Sequence, residues 1–118
     1  NDMLEHMNSF FLNYLGITTQ IVKSQDLNIR STKSELVLDL CKVSKATTYI
    51  SGALGRDYLD ENLFKEAGVE VVYQDYKHPE YTQLSASFKP YMATLDLIFN
   101  HGPESLQILN RGNELKDF

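Results

Sequence analysis

Two short stretches hold most of the side chains able to do chemistry. The first runs Ser51, Gly52, Gly55, Arg56, Asp57 and Tyr58. Ser51-Gly52 with Gly55 lets backbone come close to a ligand, and free amides in such a turn can hold an anion. The second stretch carries Asp75, Tyr76, Lys77, His78, Tyr81 and Gln83. His78 sits among polar and aromatic neighbours, and Pro79 fixes the backbone after it. Imidazole is the side chain best suited to move a proton near neutral pH. Tyr73, Tyr76, Tyr81, Tyr91 and Phe88 can stack on a sugar or base. Asp96, set between Leu95 and Leu97, is either exposed on a far helix face or buried and paired, and the second case would mark a functional site.

Each signal has a plainer alternative. The glycines can serve only the turn, His78 can hydrogen-bond the fold together, and the aromatics can close a core beneath a long loop. Asn100 can act only as a helix C-terminal cap. His6 lies on a helix and His101 at a helix end, where a cation favours the dipole. The glycine pattern is neither a Walker loop nor a dinucleotide fingerprint. Asp57, Asp60 and Asp75 could flank magnesium, but loop carboxylates are usually solvated, so no metal site is expected and no cofactor is specified.

The elements that must position these groups follow from periodicity. Met3, Leu4, Met7, Phe10, Phe11 and Tyr14 give a helix over 2–15, ended by Gly16. β-branched residues predict a strand at 18–23. Thr32 and Glu35 have capping-box spacing and open a helix with Leu36, Val37, Leu40 and Cys41 on one side, Cys41 as an inert buried thiol. A second strand is expected at 47–51, a short helix capped by Asp60 and closed by Gly68, then a third strand at 69–74. A fourth helix is expected around 90–100 with Met92, Leu95, Ile98 and Phe99 as its apolar face, then a turn at ESLQIL and a frayed tail from Asn110. This alternation predicts an α/β fold with a small parallel sheet in three-layer style and crossover helices. In such sheets ligands lie beyond the carboxyl ends of strands, where both stretches would fall.

Composition narrows the classes. The chain has 118 residues, with 42% hydrophobic and 23% charged, an ordinary globular balance. Sixteen acidic against eleven basic residues give a net charge of −5, which argues against nucleic-acid binding. No apolar run approaches the ~20 residues of a membrane span. One cysteine excludes an internal disulfide, so a reducing, cytoplasmic location is expected. The start at Asn1, already within an amphipathic helix, leads to the expectation of a processed protein or a fragment of a larger α/β fold.

The run TTYISGALGRDYLDENLFKEAGVEVVYQDYKHPEYTQL, followed by DLIFNHGPESLQIL, resembles the WbqC-like family. Members carry patterns close to YLSGPxGxxYLD, FxxFxHPxYPQ and LDLLFNxGPES. Ser51, Gly52, Gly55, Tyr58, Leu59, Asp60, His78, Pro79, Tyr81, Gln83, Asp96, Asn100, Gly102 and Pro103 fall in place. Ala53 and Thr82 stand where the family usually has proline, and His101 where it often has cysteine.

The resemblance implies a carboxyl-terminal half, residues 1–109 as the domain and 110–118 as a tail. Its partner would be a missing amino-terminal half that opens with a segment like HQPxYLPWxGYF. It also implies a link to surface polysaccharide and O-antigen assembly. The expected activity is a transferase acting on a nucleotide-linked amino sugar, by acyl or aminoacyl transfer. In it His78 and Asp96 are catalytic, Asp96 orienting His78 or pairing with a cation. Ser51, Gly52, Gly55, Tyr58, Asp60, Tyr81, Gln83 and Asn100 bind substrate. The alternative is a non-catalytic sugar- or partner-binding or scaffold domain of the same pathway.

Overall fold

The computed structural model describes residues 2–114, which form two compact units, one from 2–20 with 76–114 and one from 21–75. The second unit is a strand–helix–strand arrangement. Helix α2, Lys33–Val43, precedes strand β1, Thr48–Gly52, and helix α3, Glu61–Glu66, leads into strand β2, Glu70–Tyr76, whose first six residues belong here. The two strands pair in parallel, with Thr48 opposite Glu70 and Gly52 opposite Gln74. Parallel neighbours need a crossover, and residues 53–69 supply it. The fold is thus α/β with a small parallel sheet, as the alternation predicts.

Burial explains why these residues take these forms. Leu38, Cys41, Leu59, Phe64 and Val69 form the buried core, with Tyr49, Val71 and Tyr73 packed on it. The Tyr49 and Phe64 rings stack at 5.7 Å. Burial raises the Cys41 thiol above its ordinary pKa, keeping it protonated and inert. Leu38, rather than Leu36 or Leu40, is the leucine of α2 that is buried.

The ends of α3 are as read from sequence. Asp60 is its N-cap and accepts from the Asn62 N–H at 3.2 Å, and Gly68 follows the helix at φ +72°. The start of α2 is not. Thr32 makes no capping bond with its side chain, because Lys33 stands at φ +54° and turns the chain away from capping-box geometry. Ser34 ties this end down instead. Its buried hydroxyl donates to the Tyr58 carbonyl at 3.2 Å and accepts from the Asp60 N–H at 3.0 Å.

The strand expected at 18–23 does not form. Ile21 and Val22 are exposed, and β propensity without a partner ladder and a face to bury does not make a strand. The third strand, β3, comes instead from Asn113–Glu114, within the stretch expected to fray. In the first unit Tyr76 and Lys77 hold it near the chain end. The Lys77 N–H donates to the Gly112 carbonyl at 3.0 Å, and the Tyr76 hydroxyl donates to the Leu109 carbonyl at 3.3 Å. A methyl group at Gly112 would collide with the Lys77 carbonyl oxygen and press on the Tyr76 ring.

Helix α1 of the first unit, Asp2–Tyr14, matches its periodicity and ends at Gly16, φ +69°. Its apolar face is exposed at Met3, Leu4, Met7, Phe10 and Tyr14. Helix α4, Thr94–His101, starts later than the spacing predicts. Pro90 and a left-handed Tyr91, φ +61°, stop the helix from extending upstream. Its buried face is Leu97 and Ile98, whereas Met92 and Phe99 are exposed, contrary to the predicted stripe. Helix α5, Ser105–Asn110, follows a short 3-10 turn. The fully buried Ser105 hydroxyl donates to the Gly102 carbonyl at 2.6 Å and so satisfies an orphan group at the α4 end.

Candidate functional site

In the second unit, the parallel register brings the carboxyl ends of β1 and β2 side by side, which is where the sheet rule places a ligand. Ser51 is only 2% exposed, and its hydroxyl donates to the Gly52 carbonyl at 3.2 Å. Gly55 is a glycine for a packing reason, since a Cβ there would collide with Ser51 Oγ. Gly52 has open space around it. The Tyr58 ring is exposed while its carbonyl serves the Ser34 latch, and the Asp60 carboxylate caps α3. In this unit the structure therefore engages Ser51 and Asp60 in the fold and leaves the Tyr58 ring and Gly52 open.

Beside them lies a pair not anticipated from sequence. The Arg56 guanidinium sits 4.5 Å over the Tyr73 ring, and the Tyr73 hydroxyl donates to Glu61 Oε1 at 2.7 Å. Burial first, then the Glu61 bond and charge, push the Tyr73 pKa up to about 12, with Arg56 opposing. A raised native pKa means stability that is complete below about pH 10 and lost between pH 10 and 12. Alkaline unfolding monitored by circular dichroism should therefore flatten across that window in Tyr73→Phe.

The first unit holds the denser constellation. The Tyr81 hydroxyl donates to Asp96 Oδ2 at 2.8 Å, and Gln83 Nε2 donates to the same oxygen at 3.0 Å. Gln83 also closes a ring with one residue of backbone. Its Nε2 donates to the Lys89 carbonyl at 3.0 Å, and its Oε1 accepts from the Lys89 N–H at 2.8 Å. Gln83 thus pins the 83–89 loop and the Asp96 carboxylate together. Asn100 Nδ2 donates to the Asp96 carbonyl at 2.7 Å, within α4. Asp96 is half-buried and hydrogen-bonded, between the exposed and the buried alternatives read from sequence.

His78 has a defined tautomer. Its Nε2 accepts from the Tyr91 N–H at 3.3 Å, so that nitrogen carries no proton. Its Nδ1 faces the Pro79 carbonyl at 3.0 Å, and since a carbonyl only accepts, Nδ1 is the protonated atom. Both contacts fit the tautomer that carries its proton on Nδ1. Aromatic rings surround it: Tyr81 at 6.2 Å and roughly parallel, Phe88 at 5.9 Å, and Tyr91 edge-on at 5.2 Å. Asp96 does not orient His78 by a direct bond. It holds the hydroxyl of Tyr81, whose ring stacks on the imidazole.

Tyr81 is a donor, not a base. Burial raises its pKa, the Gln83 amide opposes this, and the Asp96 carboxylate adds to it. His101 edges onto the Tyr81 ring at 5.6 Å, and its Nε2 donates to the Thr82 carbonyl at 2.9 Å. Two positions that depart from the family pattern are therefore bonded to each other. Phe88 and Tyr91, two of the aromatics noted in the sequence, meet His78 here, and the Lys89 backbone joins through Gln83 with no sequence signal to mark it.

A cavity of about 50 Å³, lined by Tyr76, His78, Tyr81 and Leu97 among others, adjoins this network. An open hollow of about 350 Å³ lies over Glu80, Tyr81, Thr82, Gln83 and Phe88. The cavity accepts a small group, whereas the hollow is of the size that small-molecule sites use, roughly 300–1,000 Å³. Among the described residues, no group of three His, Cys, Asp or Glu side chains is placed to hold a metal.

The profile of the WbqC-like protein family matches residues 1–108. The chain belongs to that family. The uncharacterized protein Rv1507c of Mycobacterium tuberculosis is 40% identical over 93 residues, which are 78% of this chain. Those residues are 40% of the relative's length, so the chain spans well under half of it. No solved structure matches. Within this WbqC-like chain, Tyr81, Gln83, Asp96 and Asn100 form a bonded network in the first unit with His78 against the Tyr81 ring, and Ser51, Gly52, Gly55 and Tyr58 lie at and beyond the end of β1 in the second.

Proposed function

We propose that this WbqC-like chain carries the proton-transfer part of a group-transfer site for a nucleotide-linked amino sugar, in the cytoplasmic stage of surface polysaccharide assembly. The observation that supports it most is the setting of His78, whose Nε2 is an acceptor for the Tyr91 N–H and whose ring lies against Tyr81, which Asp96 and Gln83 fix in turn. In this reading Nε2 takes the proton of the acceptor amine or hydroxyl as its nitrogen or oxygen forms a bond to the donor's acyl carbon. The bond from that carbon to the donor's leaving group breaks, and the proton on Nε2 passes to the leaving group. In the first unit the Tyr81 ring presents a flat surface to a sugar. The second unit, taken by itself, offers the Tyr58 ring for stacking and the turn of Ser51, Gly52 and Gly55 for a phosphate. Asp60 acts by capping α3 in the second unit, and Asn100 by bonding the Asp96 carbonyl within α4 of the first. The cavity beside His78 is too small for a whole nucleotide sugar, so the sugar lies in the open hollow over Tyr81 and Gln83, and the amino-terminal half that the family resemblance implies would be the partner that covers it.

Thermal unfolding with nucleotide-linked amino sugars, free nucleotides and acetyl-coenzyme A tests this reading, on the chain alone and joined to the relative's remaining length. At 100 times its dissociation constant a ligand adds about 2.7 kcal/mol, a shift of several degrees. A shift with an amino-sugar nucleotide in the joined protein supports the reading, and no shift with any of them contradicts it.

A further inference from the structure

The amide that bonds His78 comes from a residue in an unfavourable conformation. Tyr91 stands at φ +61°, a region where a side chain costs about 1–2 kcal/mol, and it follows Pro90. Its ring is 84% exposed, so little packing holds it there. What its conformation does provide is a main-chain N–H aimed at His78 Nε2, at 3.3 Å, with the ring edge-on to the imidazole at 5.2 Å. Strained residues persist where the surrounding structure uses them.

We propose that Tyr91 is a displaceable cap on His78 and that its amide marks the acceptor position. An acceptor O–H or N–H must donate to Nε2 before losing its proton, and the Tyr91 N–H now occupies that direction. Only one donor fits a single imidazole lone pair, so the acceptor replaces the amide. The strain at Tyr91 lowers the cost of the exchange, because leaving the left-handed region releases it. The uncapped backbone also carries the Tyr91 ring away from the imidazole edge. This inference rests on His78 being the proton acceptor, and it names the residue that gates it.

The test needs no substrate. Diethyl pyrocarbonate modifies unprotonated imidazole nitrogen, and peptide mass spectrometry follows His78 with His6 as the internal reference. Tyr91→Gly and Tyr91→Ala both remove the ring, but only alanine keeps the left-handed penalty. Tyr91→Pro has no N–H to donate. His78 modification is expected to be about five- to thirty-fold faster in Tyr91→Ala than in Tyr91→Gly, and fastest in Tyr91→Pro. Equal His78 rates in the three variants, with circular dichroism unchanged, would overturn the cap. Turnover assays on His78 variants decide the acid–base reading separately, so a failed cap and a failed base give different results.

Discussion

Phe64→Ala should cost about 3–5 kcal/mol and leave the 21–75 unit largely unfolded at 25 °C. Phe64 is fully buried, stacks on Tyr49 and lies in the core with Leu38, Cys41, Leu59 and Val69. Truncation removes the ring's transfer energy and leaves a cavity that strands and helices of this length cannot close. Small units bury a modest fraction of their surface and have little stability to lose. Urea denaturation followed by far-ultraviolet circular dichroism reads the effect as a fall in the unfolding midpoint. A midpoint shift worth less than about 1 kcal/mol would show that the core lies elsewhere.

The same core explains how much of the fold was legible. β1, α3 and β2 were readable because each signal is local and its burial partner lies nearby in sequence. Asp60 could be read as a cap, and Gly16 and Gly68 as helix stops, because these roles depend on a side-chain oxygen or a missing Cβ rather than on distant packing. The segment at 18–23 has the composition of a strand, yet a ladder needs a partner, and composition says nothing of one. Thr32 and Glu35 have the right spacing, but the backbone at Lys33 decides whether a capping box can close. β3 was missed because two residues held through Lys77 and Gly112 carry no periodicity.

Part of the candidate cluster is legible in sequence, and its wiring is not. His78, Tyr81, Gln83, Asp96 and Asn100 fall together in the first unit, whereas Ser51, Gly52, Gly55, Tyr58 and Asp60 belong to the second. That Asp96 grips Tyr81 and Gln83, rather than His78, depends on side-chain directions that spacing does not encode. Tyr91 was visible only as one aromatic among several. Its contribution is a main-chain amide in a left-handed conformation, which a tyrosine does not advertise.

His78→Gln should lower turnover by about 10²–10⁴-fold, the usual contribution of a positioned acid–base group. Glutamine approximates the size of imidazole and can still bond the Tyr91 N–H, but its amide does not take a proton at neutral pH. Ligand-induced stabilisation should therefore persist while turnover falls. Asp96, Tyr81 and Gln83 act through the ring they hold, so their variants should raise the spread of His78 orientations rather than remove the base.

The most direct measurement is the initial rate of acyl transfer to a nucleotide-linked amino sugar by the joined protein, wild type against His78→Gln, with ligand stabilisation recorded in parallel. A loss of two orders of magnitude or more, with the thermal shift retained, is the expected result. Equal rates in the two proteins would contradict a proton-transfer role for His78, and binding without turnover in either would identify the chain as a binding domain.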